Sequence, residues 1–236
     1  MTVSRVATTG AGLWLAALAS ATSIPMRAQG TVSGQVTLVG PGASARRDLA
    51  QAVVYLEPAN RATRFDRASG EGSAVSIVMR DRQFSPRIQI VRVGGSVDFP
   101  NQDPFSHNVF SNTSLEAFDL GLYRRGATRA AIFSRAGVYA IYCNIHSSMV
   151  SFVVAVPTTA FARVAADGRF TMPDVPAGSY LMHVWHERAS EAVEKLDVPP
   201  AGLHALSVTL QSLGFVAAPH LNKFGQPYAP ARADRY

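Results

Sequence analysis

Residues 138–149 read Val-Tyr-Ala-Ile-Tyr-Cys-Asn-Ile-His-Ser-Ser-Met. The first part alternates along its length with β-branched and aromatic residues, which is strand behaviour. The second part sets Cys143, His146 and Met149 three residues apart, directly after that strand. In a tight loop this spacing folds three side chains around one point. A further histidine, His107, stands 36 residues upstream, just after a polar loop at 101–106. A thiolate, two neutral imidazoles and a weak thioether are the donor set of an electron-transfer copper centre. The sulfur donors favour Cu(I) and the nitrogens tolerate Cu(II).

Other chemistries fit these residues less well. Cys143 is the only cysteine of the chain, which excludes an internal disulfide and a thiolate-bridged pair of coppers. Structural zinc usually takes a second Cys or Cys/His pair. A cysteine nucleophile activated by His146 would lack an orienting Asp or Asn and would leave Met149 without a role. No paired carboxylates or phosphate-cradling glycine loop appear, so no enzyme activity is expected. His183 and His186 flank Val184-Trp185, and three apart on a strand they point to opposite faces. A shared metal is not expected there.

Strands are predicted around this centre. Short apolar or alternating runs at 31–39, 52–56, 75–79, 84–93, 96–99, 107–110, 130–133 and 149–156 are separated by Gly, Pro and polar turns. Residues 40–51 and 57–73 read as loops. Residues 111–128 read as a longer excursion with one helical turn near Leu115-Glu116. Further on, 160–172 form a hairpin around Asp167-Gly168, and 180–185 and 206–210 alternate as strands. The tail at 211–236 has no clear period and is expected on the surface or over an edge. Beyond the N-terminal segment no window of ten residues carries a clean helical period.

The whole chain has 236 residues, 47% hydrophobic and 16% charged, with 18 glycines and 14 prolines. That profile excludes a disordered or collagen-like chain and leaves room for one large or two small domains. The 22 basic and 16 acidic residues give a net charge of +6 with no basic run. This weakly favours an acidic-faced protein partner and argues against nucleic acid. Arg5 is the only charge among the first 26 residues, and 10–21 read GAGLWLAALASA. That is the apolar region of an export signal, too short to span a bilayer, with cleavage expected after Ala21 or Ala28. No later stretch approaches 18 apolar residues. The expected product is a soluble exported protein, periplasmic in location and without a membrane span.

The stretch from Phe84 to Val156 resembles the plastocyanin/amicyanin branch of the cupredoxins. Phe84-x-Pro86, Val93-Gly94-Gly95-Ser96-Val97-x-Phe99-x-Asn101 and Ser106-His107-Asn108-Val109 match its first half. Gly137-Val138-Tyr139-x-x-Tyr142-Cys143-x-x-His146-x-x-Met149 matches its second half. The short ligand loop is most similar to amicyanin. The insert Phe118-Asp119-Leu120-Gly121-Leu122-Tyr123 resembles exported bacterial proteins of the methylamine-utilisation or plastocyanin-like type. The resemblance implies His107, Cys143 and His146 as equatorial ligands of one copper ion and Met149 as the axial ligand. It also implies that Asn108 ties the two ligand loops together beside the thiolate. Ile145 departs from the Pro that commonly precedes the second histidine in these proteins.

Asp167-Gly168-x-Phe170 and Val175-Pro176-x-Gly178-x-Tyr180 resemble a carboxypeptidase-regulatory, transthyretin-like module. The resulting expectation is an all-β chain with five parts. They are a signal at 1–28, N-terminal strands at 29–72, a Greek-key cupredoxin sandwich at 73–158, a small β-sandwich at 159–210 and a tail at 211–236. The N-terminal strands are expected to contribute to the small sandwich. The implied function is one-electron transfer through a mononuclear blue copper site, between redox proteins of the cell envelope. The rival reading is an exported binding or structural β-module that holds copper for storage or not at all.

Overall fold

Residues that alternate on a strand bury one face, whereas a continuous apolar run buries both. Val153-Val154-Ala155-Val156 and Val53-Val54-Tyr55-Leu56 are runs of the second kind, and every one of these eight side chains is buried. They lie where two sandwiches meet. The computed structural model describes residues 28–40, 49, 51–59, 75–213 and 220–228. The predicted export segment lies outside the described residues up to position 27. So do most of the loops at 41–50 and 60–74, and parts of the tail.

The described chain is almost entirely β. In order come β1 (Gln29–Val39), β2 (Val53–Pro58), β3 (Val75–Ser76), β4 (Val78–Arg80), β5 (Gln83–Ser85) and β6 (Ile88–Arg92). They are followed by β7 (Ser96–Pro100), β8 (His107–Ser111), β9 (Phe118–Tyr123), β10 (Thr128–Ile132), β11 (Gly137–Tyr142) and β12 (Val150–Val156). The last five are β13 (Phe161–Arg163), β14 (Arg169–Pro176), β15 (Gly178–Trp185), β16 (Ala192–Val198) and β17 (Gly202–Gln211).

The middle of the chain forms a cupredoxin-like Greek-key sandwich. One sheet has the order β6-β12-β11-β8-β9 and the facing sheet β10-β7-β3, with the β4-β5 hairpin beside it. Val97 and Phe99 of β7, Tyr139 and Ile141 of β11 and Val153 of β12 form its core. Cys143 and Met149 belong to the same buried cluster, at its end. The site therefore grows out of the core rather than sitting on a surface loop.

The two N-terminal strands complete the C-terminal module. β1 lies between β14 and β17, and β2 between β13 and β15, with β16 at the edge. Their inner faces enclose a second core that includes Val36, Leu56, Phe170, Met182 and Val208. The other face of β2, through Val53 and Tyr55, packs on Ile88, Ile90, Val154 and Val156 of the first sandwich. The second module thus braces the sheet that carries β11 and β12. Arg87 strengthens this contact. Its guanidinium donates to both carboxylate oxygens of Glu187, at 2.6 to 3.0 Å, and to the Val150 carbonyl at 3.2 Å.

Three expectations are corrected. The run 84–93 is two strands, broken by Pro86 and Arg87. The 111–128 excursion contains β9, and its bend at 114–115 is a turn rather than a helical one. β16 lies in a stretch with no predicted strand. It is an edge strand whose Glu194, Lys195 and Asp197 face solvent or its rim, and such charges hide the alternation while guarding an open edge. No helix among the described residues is long and apolar enough to cross a membrane.

Candidate metal centre

His107 opens β8, a strand buried at all five positions. The loop before it is fixed by its own polar side chains. Buried Asn101 donates through Nδ2 to the carbonyls of Phe105 (2.9 Å) and Tyr123 (3.1 Å). Its Oδ1 accepts the Asp103 N–H at 2.9 Å. Asp103 is also buried, and its carboxylate accepts the backbone N–H groups of Asp81 (2.6 Å) and Arg82 (3.0 Å). Those two residues form the β4-β5 turn with φ of 54° and 56°. Left-handed backbone at two consecutive non-glycine residues is the geometry of a two-residue hairpin turn, here held by an outside carboxylate.

The same carboxylate fixes His107. Nε2 lies 2.6 Å from Asp103 Oδ2, with both side chains almost wholly buried. A carboxylate accepts, so Nε2 carries a hydrogen, and in the neutral ring Nδ1 keeps its lone pair. That Nδ1 lies 3.7 Å from Cys143 Sγ. His146 Nδ1 lies 3.8 Å from the same sulfur, and the two imidazole rings meet edge-on with centroids 4.9 Å apart. The three donor atoms all fall within 4.8 Å of one another, and this is the one such cluster found among the described residues.

Cys143 follows β11, and the loop closes through Met149. The Cys143 N–H donates to the Met149 carbonyl at 3.4 Å, and the Met149 N–H to the His146 carbonyl at 3.1 Å. Both Cys143 and Met149 are fully buried. Burial alone would raise the Cys143 thiol. The His107 ring and the backbone N–H groups of Asn108, Ile145 and His146 outweigh it, and the thiol lies below its ordinary value. Burial pushes the His146 imidazole down, with His107 and Arg82 adding to it. For His107, burial is outweighed by Cys143 and Asp103, which hold the ring above its ordinary value in the metal-free chain.

The donor set fits a soft, nitrogen-tolerant ion. With bonds of about 2.3 Å to sulfur and about 2.0 Å to nitrogen, one ion reaches two such donors as much as about 4.3 Å apart. Both sulfur–nitrogen separations fall inside that reach. Phe105 walls the site, edge-on to His107 at 5.2 Å and tilted to His146 at 5.8 Å. The Arg82 guanidinium covers its ring at 5.1 Å. His107 and Cys143 are enclosed, while His146 is half-buried beside Ile145, which is 47% exposed.

Asn108 is buried, and its backbone N–H points to the thiol sulfur. Its side-chain Nδ2 donates to Asp119 Oδ1 of β9 at 2.6 Å. Its Oδ1 has no partner among the described residues. His183 and His186 do not share a site. His183 lies between Glu191 (2.9 Å) and Glu57 (3.4 Å), and buried His186 accepts the Arg188 N–H.

Sequence reasoning missed two groups of residues. Asp103 carried a signal, a carboxylate four positions before His107 in a proline-containing loop. The other group is the segment 220–228, which lies against the ligand loop and carries no motif. His220 Nε2 donates to the Ser147 carbonyl at 2.7 Å, and Tyr228 Oη to the Cys143 carbonyl at 2.6 Å.

No protein-family model matches the chain. No curated protein matches it either. Solved structures resemble part of it. A Cu-containing nitrite reductase (NirK) from Thermus scotoductus SA-01 is 24% identical over 36% of this chain and 23% of its own, with a TM-score of 0.34. The matched part is thus less than a quarter of that enzyme. A purple cupredoxin from Nitrosopumilus maritimus is 24% identical over 34% of this chain and 98% of its own, with a TM-score of 0.32. Amicyanin from Paracoccus versutus is 22% identical over 37% of this chain and 86% of its own, with a TM-score of 0.34.

Proposed function

We propose that the chain is an exported one-electron carrier that holds one copper ion between His107, Cys143 and His146, with the Met149 thioether as a weak axial ligand. The observation that supports this most is the placing of two imidazole Nδ1 atoms within 3.8 Å of one buried sulfur. Copper bound there would supply one-electron exchange between Cu(I) and Cu(II).

The protein's own groups suit that task. Asp103 holds the His107 ring by its far nitrogen and so presents Nδ1 inward, as partners outside the coordination sphere of metal-binding histidines do. Three backbone N–H groups face the Cys143 sulfur and favour the thiolate. Phe105 and the core cluster enclose His107 and Cys143, which stand at the ends of β8 and β11. A site so fixed keeps rearrangement small when a charge changes. His146 is the ligand that meets the surface, so its edge is the place for electrons to enter and leave. The partners proposed are redox proteins of the cell envelope. The exposed Arg124 and Arg125 suit an acidic docking face.

The test is to titrate the purified chain with Cu(II) and record absorption and paramagnetic resonance. One equivalent is expected to give an intense thiolate-to-copper band in the visible, lost in Cys143→Ser. Copper bound without that band would favour the storage reading.

A further inference from the structure

The tail segment 220–228 touches the loop that carries Cys143 and His146 at three separate residues. Tyr228 Oη donates to the Cys143 carbonyl at 2.6 Å. The Lys223 N–H donates to Asn144 Oδ1 at 3.0 Å. His220 Nε2 donates to the Ser147 carbonyl at 2.7 Å. The loop's own closing bond between Cys143 and Met149 is longer, at 3.4 Å. The His220 ring also stacks on Tyr142, the residue before the cysteine, with centroids 4.0 Å apart and planes at 23°. Tyr228 meets that ring edge-on at 5.1 Å.

The segment has a shape of its own. Asn222 Oδ1 accepts the N–H groups of Phe224 (2.9 Å) and Gln226 (3.1 Å), and the backbone closes between Asn222 and Gln226. Gly225 takes φ of 75° to complete this turn. From it Lys223 reaches Asp119 Oδ2 at 2.6 Å, and the other oxygen of that carboxylate accepts Asn108 Nδ2 at 2.6 Å. A continuous chain of hydrogen bonds therefore runs from the Cys143 loop through the tail and β9 to the residue next to His107. Elements of the loop, the insert and the tail, up to 104 positions apart in sequence, join in it.

We propose that residues 220–228 are a strap that positions the Cys143–Met149 loop for the metal, with Tyr228 and His220 as its positioning residues. This rests on the copper reading above. The strap holds the carbonyls of Cys143 and Ser147, so the backbone on both sides of His146 is set before a metal arrives. None of its hydrogen bonds goes to His146 itself, which is half-buried.

The test uses the full chain carrying His220→Ala together with Tyr228→Phe, against the unaltered chain. In the metal-free protein, hydrogen–deuterium exchange of amides 143–149 is expected to rise on the order of tenfold, the size of one or two lost hydrogen bonds. Exchange in β1 and β17 should not change, which shows that the variant is folded. In the copper-loaded protein, release to a chelator should quicken by a similar factor and the thiolate-to-copper band should shift. Restoring Tyr228 alone should recover part of each effect. Unchanged loop exchange would overturn the strap. Faster exchange with unchanged release and an unmoved band would overturn its service to the metal. If the unaltered chain binds no copper, the copper reading fails, while the exchange measurement still decides whether the strap holds the loop.

Discussion

The two loops that bring ligands to the candidate site are held by different means. The loop before His107 is held locally. Asn101, Asp103 and the turn at Asp81-Arg82 lie within 26 residues of the histidine and form one hydrogen-bonded network around the buried Asn101 and Asp103. The loop from Cys143 to Met149 has few bonds of its own and is held from afar. The tail fastens it at Cys143, Asn144 and Ser147, and Arg87, itself gripped by Glu187 of the second module, fastens the Val150 carbonyl just beyond it. A local network can form with the sandwich itself. A loop held from afar acquires its geometry only when the whole chain is in place. That gives the second module and the tail a physical role, since both hold the half of the site that carries the thiolate.

The sharpest way to break this comparison is Asp103→Ala. It leaves the buried His107 Nε2 and two turn N–H groups without their acceptor, at a cost on the order of 2–3 kcal/mol. Thermal unfolding should show it, and the loop at 143–149 should keep its exchange protection. Equal loosening of both loops would mean that they are one unit.

Arg87→Ala comes next. Glu187 keeps a side chain only 6% exposed and loses its partner, while Arg87 itself is 35% exposed. The expected loss is about 1–2 kcal/mol, read in a urea melt. Faster exchange should be confined to 150–152 and the module contact, with the His107 loop unaffected.

The smallest effect concerns pH. Burial alone would raise the Asp119 carboxyl, but Lys223, Asn108 and the Gly121 N–H outweigh it and hold it below its ordinary value. A carboxyl lowered in the folded state contributes fully above the unfolded value, about 3.9, and its contribution is lost as pH falls through the lower folded value. Magnetic resonance signals of Lys223 should therefore keep their strap-bound positions at neutral pH and leave them only below about pH 4. Asp119→Asn should remove that step. A step that persists in the variant assigns the acid sensitivity to another group.

The ligand residues of both loops were legible in the sequence, and little of what holds either loop, since Asp103 and the tail were both missed. The strand before Cys143 and the spacing of His146 and Met149 are local patterns, and the core forms from them as expected. The continuous apolar runs at 53–56 and 153–156 read as strands buried on both faces, but a run does not say what covers the second face. β16 was hidden by edge-strand charges. The strap was illegible for a simpler reason. Two of its contacts, from His220 and Tyr228, go to backbone carbonyls, which leave no residue type to read, and its side-chain partners Asn144 and Asp119 lie 79 and 104 positions away from Lys223.

The most direct measurement is the absorption spectrum of the full chain after one equivalent of Cu(II), compared with Cys143→Ser, His107→Ala and His146→Ala. An intense visible thiolate-to-copper band is expected that disappears in the cysteine variant and is lost or displaced in each histidine variant. A chain that binds copper with no such band, or whose spectrum survives Cys143→Ser, would contradict the electron-carrier reading.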